Sequence, residues 1–480
     1  MTSGSAPARD VPGRGRTRLV YTSRVPQNTT ASVDDPRPTG EEIVQTLPWR
    51  WNTQGRIFLI GGLGFMFDAW DVSLNGVLIP LLSEEWDLTA AQAGLIGTAN
   101  LIGMAVGAVL WGTIADRIGR RRAFAWTLLV FSLFTLAGVL TTDITWFVAF
   151  RFLAGVGLGG CVPVDYALVG EFTPAKHRGR VLTAMDGWWP IGATLAGVVS
   201  AWLVGTWGDW RLPLLAMILP AMLIFSVRLG MPESPLFLIR QGRLDEARRI
   251  IDRLVERTGA TPRDYVLHAG VPAQRLGLGG IVTQLRRVWE HSWRITLVAW
   301  LLFLAVMTVY YIALQWMPQV LIEAGYEQSR AFITSAGMAG VGLLGVIVST
   351  LLVELLGRRL LLAVTAPAAT ALLVGLGGVL HLPDAVLTMV LGYGLLIQVA
   401  IPVLYTYVSE LYPTALRGSG FGWASTISRI GAGVGPLLFM GQLEPALGLS
   451  GAFAVCLAGV VVAVAVMLVL APDTTRRRLD

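Results

Sequence analysis

Twelve apolar stretches dominate the chain, at approximately 57–82, 91–114, 122–141, 145–171, 180–206, 211–229, 295–322, 330–355, 359–379, 384–410, 418–442 and 449–471. A helix rises about 1.5 Å per residue, so about 20 such residues cross the roughly 30 Å hydrocarbon core of a bilayer. Within that core an unpaired backbone N–H or C=O is too costly to tolerate, which leaves helices or closed barrels, and barrel strands are much shorter than these stretches. An all-α membrane protein with twelve transmembrane helices is therefore expected. The composition agrees, with 54% hydrophobic and 14% charged residues, against about 25% charged in soluble domains.

The net charge of +6 does not point to nucleic acid, because the basic residues gather at alternate helix ends. One side holds Arg50, Arg56, the run Arg117 to Arg122, Lys176 to Arg180, an arginine-rich stretch over 240–294, Arg358, Arg359, Arg417 and Arg476 to Arg478. The other side carries Glu84, Glu85, Asp87, Asp143, Asp209, Glu323, Glu327, Asp384 and Glu444. The positive-inside rule makes the first side cytoplasmic, with both termini there, and puts the protein in the cell membrane. Cys161 and Cys456 sit in different spans without metal-ligand spacing and are read as small apolar residues.

The chain also repeats itself. Glu171, Pro174, Arg178 and Gly179 recur as Glu410, Pro413, Arg417 and Gly418 at an offset of 239, and Asp116, Gly119, Arg120 and Arg121 recur as Glu354, Gly357, Arg358 and Arg359 at 238. The copies fall at equivalent helix ends, so two six-helix bundles in the same orientation are expected. In this register Asp71 corresponds to Tyr310 and Pro190 to Arg429. The expected organisation is a disordered cytoplasmic tail over 1–50, a first bundle over 51–230, a linker with amphipathic helices over 231–294, a second bundle over 295–471 and a short cytoplasmic tail over 472–480. In the linker Leu244, Ala247, Ile250, Ile251, Leu254 and Val255 recur at helical spacing.

Residues 112–121, GTIADRIGRR, match the loop motif GxxxDRxGRR between spans 2 and 3 of the major facilitator superfamily, and RFLAGVGLGG at 151–160 resembles its RFxxGxGxG. Asp116, with Arg117 and Arg120, can latch two helices in one conformation and release them in another. The second copy has Thr350, Glu354 and Leu355 in place of glycine, aspartate and arginine, so the latch is expected mainly in the first half. PESPLFL at 232–238 and the pairs Glu171/Arg178 and Glu410/Arg417 resemble the sugar-porter and metabolite:proton symporter branch. Such pairs can close the inner face and break on opening. FDAWD in span 1, the Tyr310–Tyr311 pair, ELYPTALRGSG after span 10 and Arg429 in span 11 resemble the niacin permease group. FDAWD also resembles the DGxD signature of aromatic acid:proton symporters, with Ala69 and Trp70 departing from it. The QQxSG pattern of sugar porters is replaced in span 7 by MTVYYIALQW.

Within the spans, ionisable residues mark function, because a charge in hydrocarbon needs a partner or a water-filled cavity. Asp68 and Asp71 lie about 17 and 21 Å along span 1 and, three residues apart, share a helix face. Two carboxylates in a low-dielectric site cannot both ionise cheaply, so this pair is the leading proton-coupling site. Arg429 lies at similar depth, about 17 Å along span 11, and either binds an anionic substrate or neutralises an aspartate. Arg151 lies roughly 8 Å inside the outer end of span 4, in a coupling role or a structural ion pair. Asp165 and Asp186 are candidates for a second proton step. Trp188, Trp189, Tyr310, Tyr311, Gln315, Gln398, Tyr405 and Trp423 fall near the midplane and suit a flat ligand stacked by rings; Trp316 falls there too.

No nucleophile–base pair, phosphate loop or metal-ligand cluster stands out. A monomeric proton-coupled importer of a small aromatic or heterocyclic monocarboxylate, nicotinate for example, is expected. It would use no cofactor and bind no nucleic acid. A sugar or polyol symporter and an organic-cation exporter are the alternatives.

Overall fold

The computed structural model describes residues 37–217, 231–268 and 278–472. Span 1 is the helix Arg56–Glu85, led by the π-turn Trp51–Gly55, and span 2 is Ala90–Ile118, opened by a capping box between Thr89 and Gln92. Span 3 is Arg120–Val139. Span 4 comprises Ile144–Leu158 and Cys161–Phe172, broken at Gly159 and Gly160, and span 5 comprises Ala175–Asp186 and Trp188–Trp207. Span 6 opens at Arg211–Leu215, and its remainder, 218–229, lies outside the described residues. The second half holds Trp293–Glu323, Gln328–Leu356, Arg358–Leu376, Pro383–Leu411, Thr414–Leu438 and Glu444–Leu470 as spans 7 to 12. Every hydropathy-predicted span with described residues thus has its helix, and the fold is the expected all-α bundle pair.

Within each half, glycines let spans 2 and 4, or 8 and 10, touch backbone to backbone. A side chain at Gly103 or Gly107 would strike the carbonyls of Phe152 or Val156, and one at Gly155 or Gly159 those of Asn100 or Met104. The second half repeats the device, with Gly345 against the Leu395 carbonyl and Gly394 against that of Met338. Gly107 and Gly345 are 238 apart and Gly155 and Gly394 are 239 apart, so the repeat read at the helix ends also governs the packing inside. Van der Waals contact at short range replaces the hydrophobic effect as the force between helices in lipid.

The first half adds an ion pair. Arg151 is 1% exposed and Asp71 fully buried. Arg151 Nη1 donates to Asp71 Oδ1 at 2.6 Å and Nη2 donates to Oδ2 at 3.0 Å and to the Asp71 carbonyl at 3.2 Å. Arg151 Nη2 also donates to Asn75 Oδ1 at 2.6 Å, and Asn100 Nδ2 donates to Asp71 Oδ2 at 3.1 Å. This bidentate, amide-buttressed pair ties span 1 to spans 2 and 4.

On the arginine-rich face, the tail predicted to be disordered over 1–50 is ordered from residue 37. Helix Gly40–Thr46 is closed by a Thr39–Glu42 capping box and buries Ile43 and Val44. Backbone bonds of 3.0 Å join Gly40 to the Val266 carbonyl and Val266 to the Pro38 carbonyl. The amphipathic linker helix Leu244–Thr258 buries Ala247, Ile251, Leu254 and Val255, and Arg50 Nε donates to the Thr258 carbonyl at 3.1 Å. The apolar stripe thus finds its partner partly in the tail, a match that composition alone could not reveal. Residues 1–36 and 473–480 lie outside the described residues.

Two stability outcomes follow. Gly155→Val forces the Asn100 backbone aside and should cost about 1–3 kcal/mol, read as a lowered melting temperature in detergent. Arg151→Met strands a buried carboxylate and should cost about 3–5 kcal/mol, whereas Arg151→Met with Asp71→Leu should recover most of it; a double variant no more stable than the single one would show that the pair is not what that melting temperature reads.

Candidate functional site

Between the halves lies a cavity of about 1170 Å³. Its walls run from Asp68, Tyr310, Tyr311 and Arg429 at mid-depth to Gly112, Thr113, Arg120, Gln284, Gly418 and Ser419 beside the arginine-rich loops. The opposite end is closed. A side chain on Gly76 would lie 2.9 and 3.0 Å from the Leu314 and Gln315 carbonyls of span 7. Thr98 of span 2 donates to the Gly433 carbonyl of span 11 at 2.6 Å. The protein is therefore caught open toward its arginine-rich face.

Asp68 and Arg429 face this cavity from opposite halves. Asp68 is fully buried and neither carboxylate oxygen has a hydrogen-bond partner among the described residues. Arg429 donates from Nη1 to Ser425 Oγ, four residues earlier on its own helix, at 2.8 Å. Its Nε is buried without a partner, and among the described residues no carboxylate lies within 4.0 Å of it.

Aromatic rings complete the walls. Phe65, one turn before Asp68, packs against Trp189 and Tyr166 with centroids 5.4 and 5.6 Å apart. Trp189 meets Tyr311 edge-on at 6.4 Å, and Tyr311 meets Tyr310 at 5.4 Å. Trp189 Nε1 donates to the Tyr310 hydroxyl at 2.5 Å across the two halves, and Gln398 Nε2 donates to the same oxygen at 3.3 Å. Tyr405 stacks on Phe303 at 5.4 Å with an interplanar angle of 3°, and Trp423 also lines the cavity. Asp186 lines it nearer the mouth and accepts a hydrogen bond from Tyr166.

The remaining predicted site residues lie elsewhere. Asp71 and Arg151 form the buried pair between spans 1 and 4, outside the cavity lining. Asp165 is fully buried behind span 1, its two carboxylate oxygens without hydrogen-bond partners, and a side chain at Gly64 would lie 2.9 Å from Oδ2. Trp188 turns onto Gly62 and Phe58 of span 1. Gln315 packs against Gly97 in the closed end, and Trp316 is buried outside the cavity lining. Phe65, Tyr166 and Ser425 were missed, although Phe65 and Ser425 sit one helical turn from a midspan charge, a spacing that places them on its face.

The first gating pair differs from expectation, and the second involves Arg417, whose side chain lies outside the described residues. Glu171 pairs with Arg120 at 3.5 Å, and Glu410 pairs with Arg358 at 3.2 Å. Arg178 instead donates to the Thr173 carbonyl at 3.3 Å, because the chain breaks at Thr173 and Pro174 between Glu171 and Arg178. In the second copy, expected to be degraded, Glu354 binds Arg358 at 2.8 and 3.1 Å from one turn away. Both pairs stay within their own half, as an open inner face requires. Gly119 and Gly357 turn the two loops at φ +100° and +80°, where a side chain would be strained. Glu233 of the PESP segment accepts from the Arg121 amide at 3.1 Å, at the start of span 3. Arg117 is exposed, and the side chains of Asp116 and Arg417 lie outside the described residues.

Among known proteins, the niacin transporter of Acinetobacter baylyi is 33% identical to this chain over 87% of it and 94% of its own length. The benzoate transport protein of the same organism is 29% identical over 86% of this chain and 85% of its own. Among solved structures, a partially occluded inward-open xylose transporter from Escherichia coli superposes with a TM-score of 0.71 at 17% identity, covering 88% of this chain and 100% of that one. The sequence model of the Major Facilitator Superfamily matches residues 61–436. A membrane-embedded pair of six-helix bundles, repeated in register and enclosing a cavity open at one face, is thus a transporter, and the chain belongs to the major facilitator superfamily.

Proposed function

We propose that this transporter imports a small aromatic or heteroaromatic monocarboxylate, nicotinate being the representative substrate, in symport with a proton. The observation that carries the reading is Arg429, free of any carboxylate within 4.0 Å among the described residues, facing an aromatic-walled cavity opposite the unpartnered Asp68. A guanidinium with open donors takes a carboxylate in charge-assisted hydrogen bonds, and the rings of Trp189, Tyr311 and Tyr405 offer faces and edges to a planar ring. The relatives carry names of niacin and benzoate transport, which agree with that chemistry. The basic loops orient the open mouth to the cytoplasm, so the conformation is the one that releases substrate inward.

Asp68 carries the proton in this reading. With Asp68 ionised and no substrate present, the mid-depth part of the cavity holds one negative and one positive group, while Asp186 and Arg120 lie nearer the mouth. Substrate arriving as an anion adds a second negative charge, and a proton on Asp68 restores neutrality before the cavity closes. Asp71, held by Arg151, keeps span 1 against span 4 while the halves rock.

In proteoliposomes, uptake of labelled nicotinate should rise as the outside pH falls below the inside pH. Arg429→Ala should lower uptake about 10- to 100-fold through loss of a charged hydrogen bond; uptake at the unaltered rate would remove the proposed anion site. Asp68→Asn should abolish gradient-driven accumulation while preserving exchange of labelled for unlabelled substrate, and accumulation that still follows the gradient would assign the proton elsewhere.

A further inference from the structure

The Tyr310 hydroxyl is held by donors on two sides. An indole N–H can only donate, so the 2.5 Å contact from Trp189 Nε1 makes the Tyr310 oxygen an acceptor. Gln398 Nε2 approaches the same oxygen at 3.3 Å as a second donor. With its oxygen accepting twice, the phenol retains one proton to give. No described residue accepts it, although Tyr310 is 5% exposed and lies in the cavity wall together with Trp189 and Gln398. A buried donor held in place by three spans and left without an acceptor is a recognition element: it disfavours any ligand that cannot satisfy it.

Its neighbour indicates what kind of acceptor it meets. Tyr311 adjoins Tyr310 with ring centroids 5.4 Å apart, and both line the cavity that Arg429 faces. The guanidinium and the hydroxyl donor therefore address one enclosed space. A ligand with its carboxylate on Arg429 then meets Tyr310 through the body of its own ring. Resting on the carboxylate reading above, we propose that Tyr310 donates its hydroxyl proton to a ring nitrogen of the substrate, so that the site selects heteroaromatic acids over carbocyclic acids of the same shape. Nicotinate has such a nitrogen, and benzoate presents a C–H in its place. Relatives with niacin and benzoate transport in their names differ in this same feature of the ring.

The test is binding of nicotinate and benzoate to the purified protein by calorimetry, for the wild type and for Tyr310→Phe, which keeps the ring and removes only the hydroxyl. The wild type should bind nicotinate about 10-fold more tightly than benzoate, as one satisfied hydrogen bond in a buried site allows. Tyr310→Phe should bring the two acids within about 2-fold of each other by weakening nicotinate and leaving benzoate nearly unchanged. A purely structural role for the hydroxyl would weaken both acids by the same factor, and that result overturns the inference. So does equal affinity of the wild type for both acids, a comparison that needs no variant to fold. If the wild type binds neither acid, the transport reading and this inference fall together, whereas a preference for nicotinate that survives in Tyr310→Phe removes this inference alone.

Discussion

In hydrocarbon a polar group has no water to turn to, and each one must find its partner inside the protein or border an aqueous space. The two aspartates of span 1 divide along this line. Asp71 receives two guanidinium nitrogens and an amide, and it has become part of the scaffold. Asp68, three residues earlier, receives none and opens onto the cavity, as does Arg429 across from it. Of these two carboxylates, the one in the scaffold is satisfied and the one in the site is left for a ligand or a proton to satisfy.

Transport by alternating access asks for halves that stay rigid while the space between them changes. Rigidity comes from contact at the closest range that backbones allow. Gly107 and Gly155 in the first half, and Gly345 and Gly394 in the second, occupy equivalent positions and meet carbonyls of the facing helix. Between the halves, the close approach at Gly76 is joined by single hydrogen bonds: the Thr98 hydroxyl on the Gly433 carbonyl, the Trp189 indole on the Tyr310 hydroxyl. Single hydrogen bonds of this sort are worth about 1 kcal/mol net, a scale at which a bound ligand can shift the balance between states.

The frame repeats, but the chemistry does not. At the positions equivalent to Asp71 and Arg151 the second half has Tyr310 and Val390. An apolar residue stands in for the cation, and the phenol, relieved of a charge to neutralise, is free to bond across to Trp189 and Gln398. At the loops the symmetry is kept by compensation. Glu354 replaces an aspartate, and its longer side chain reaches Arg358 one turn away, so the pair with Glu410 survives a motif that looks eroded.

Hydropathy and the 238- to 239-residue repeat determined the twelve spans and the division into two bundles, because helix length and backbone satisfaction in a bilayer are local demands written in composition. The same logic made Asp68 and Arg429 visible, since a charge within an apolar run is conspicuous without any neighbour. What the sequence could not decide is which way a side chain faces. Three residues along a helix leave about 60° of rotation, enough to send Asp68 into the cavity and Asp71 into span 4. One residue leaves about 100°, which sends Trp189 to the cavity and Trp188 onto span 1, and Gln315 turns into the closed end. Partners are equally hidden: Glu171 prefers Arg120, 51 residues away, over Arg178 just beyond the Pro174 break. Those choices depend on which helices lie alongside, and only the tertiary structure brings them together.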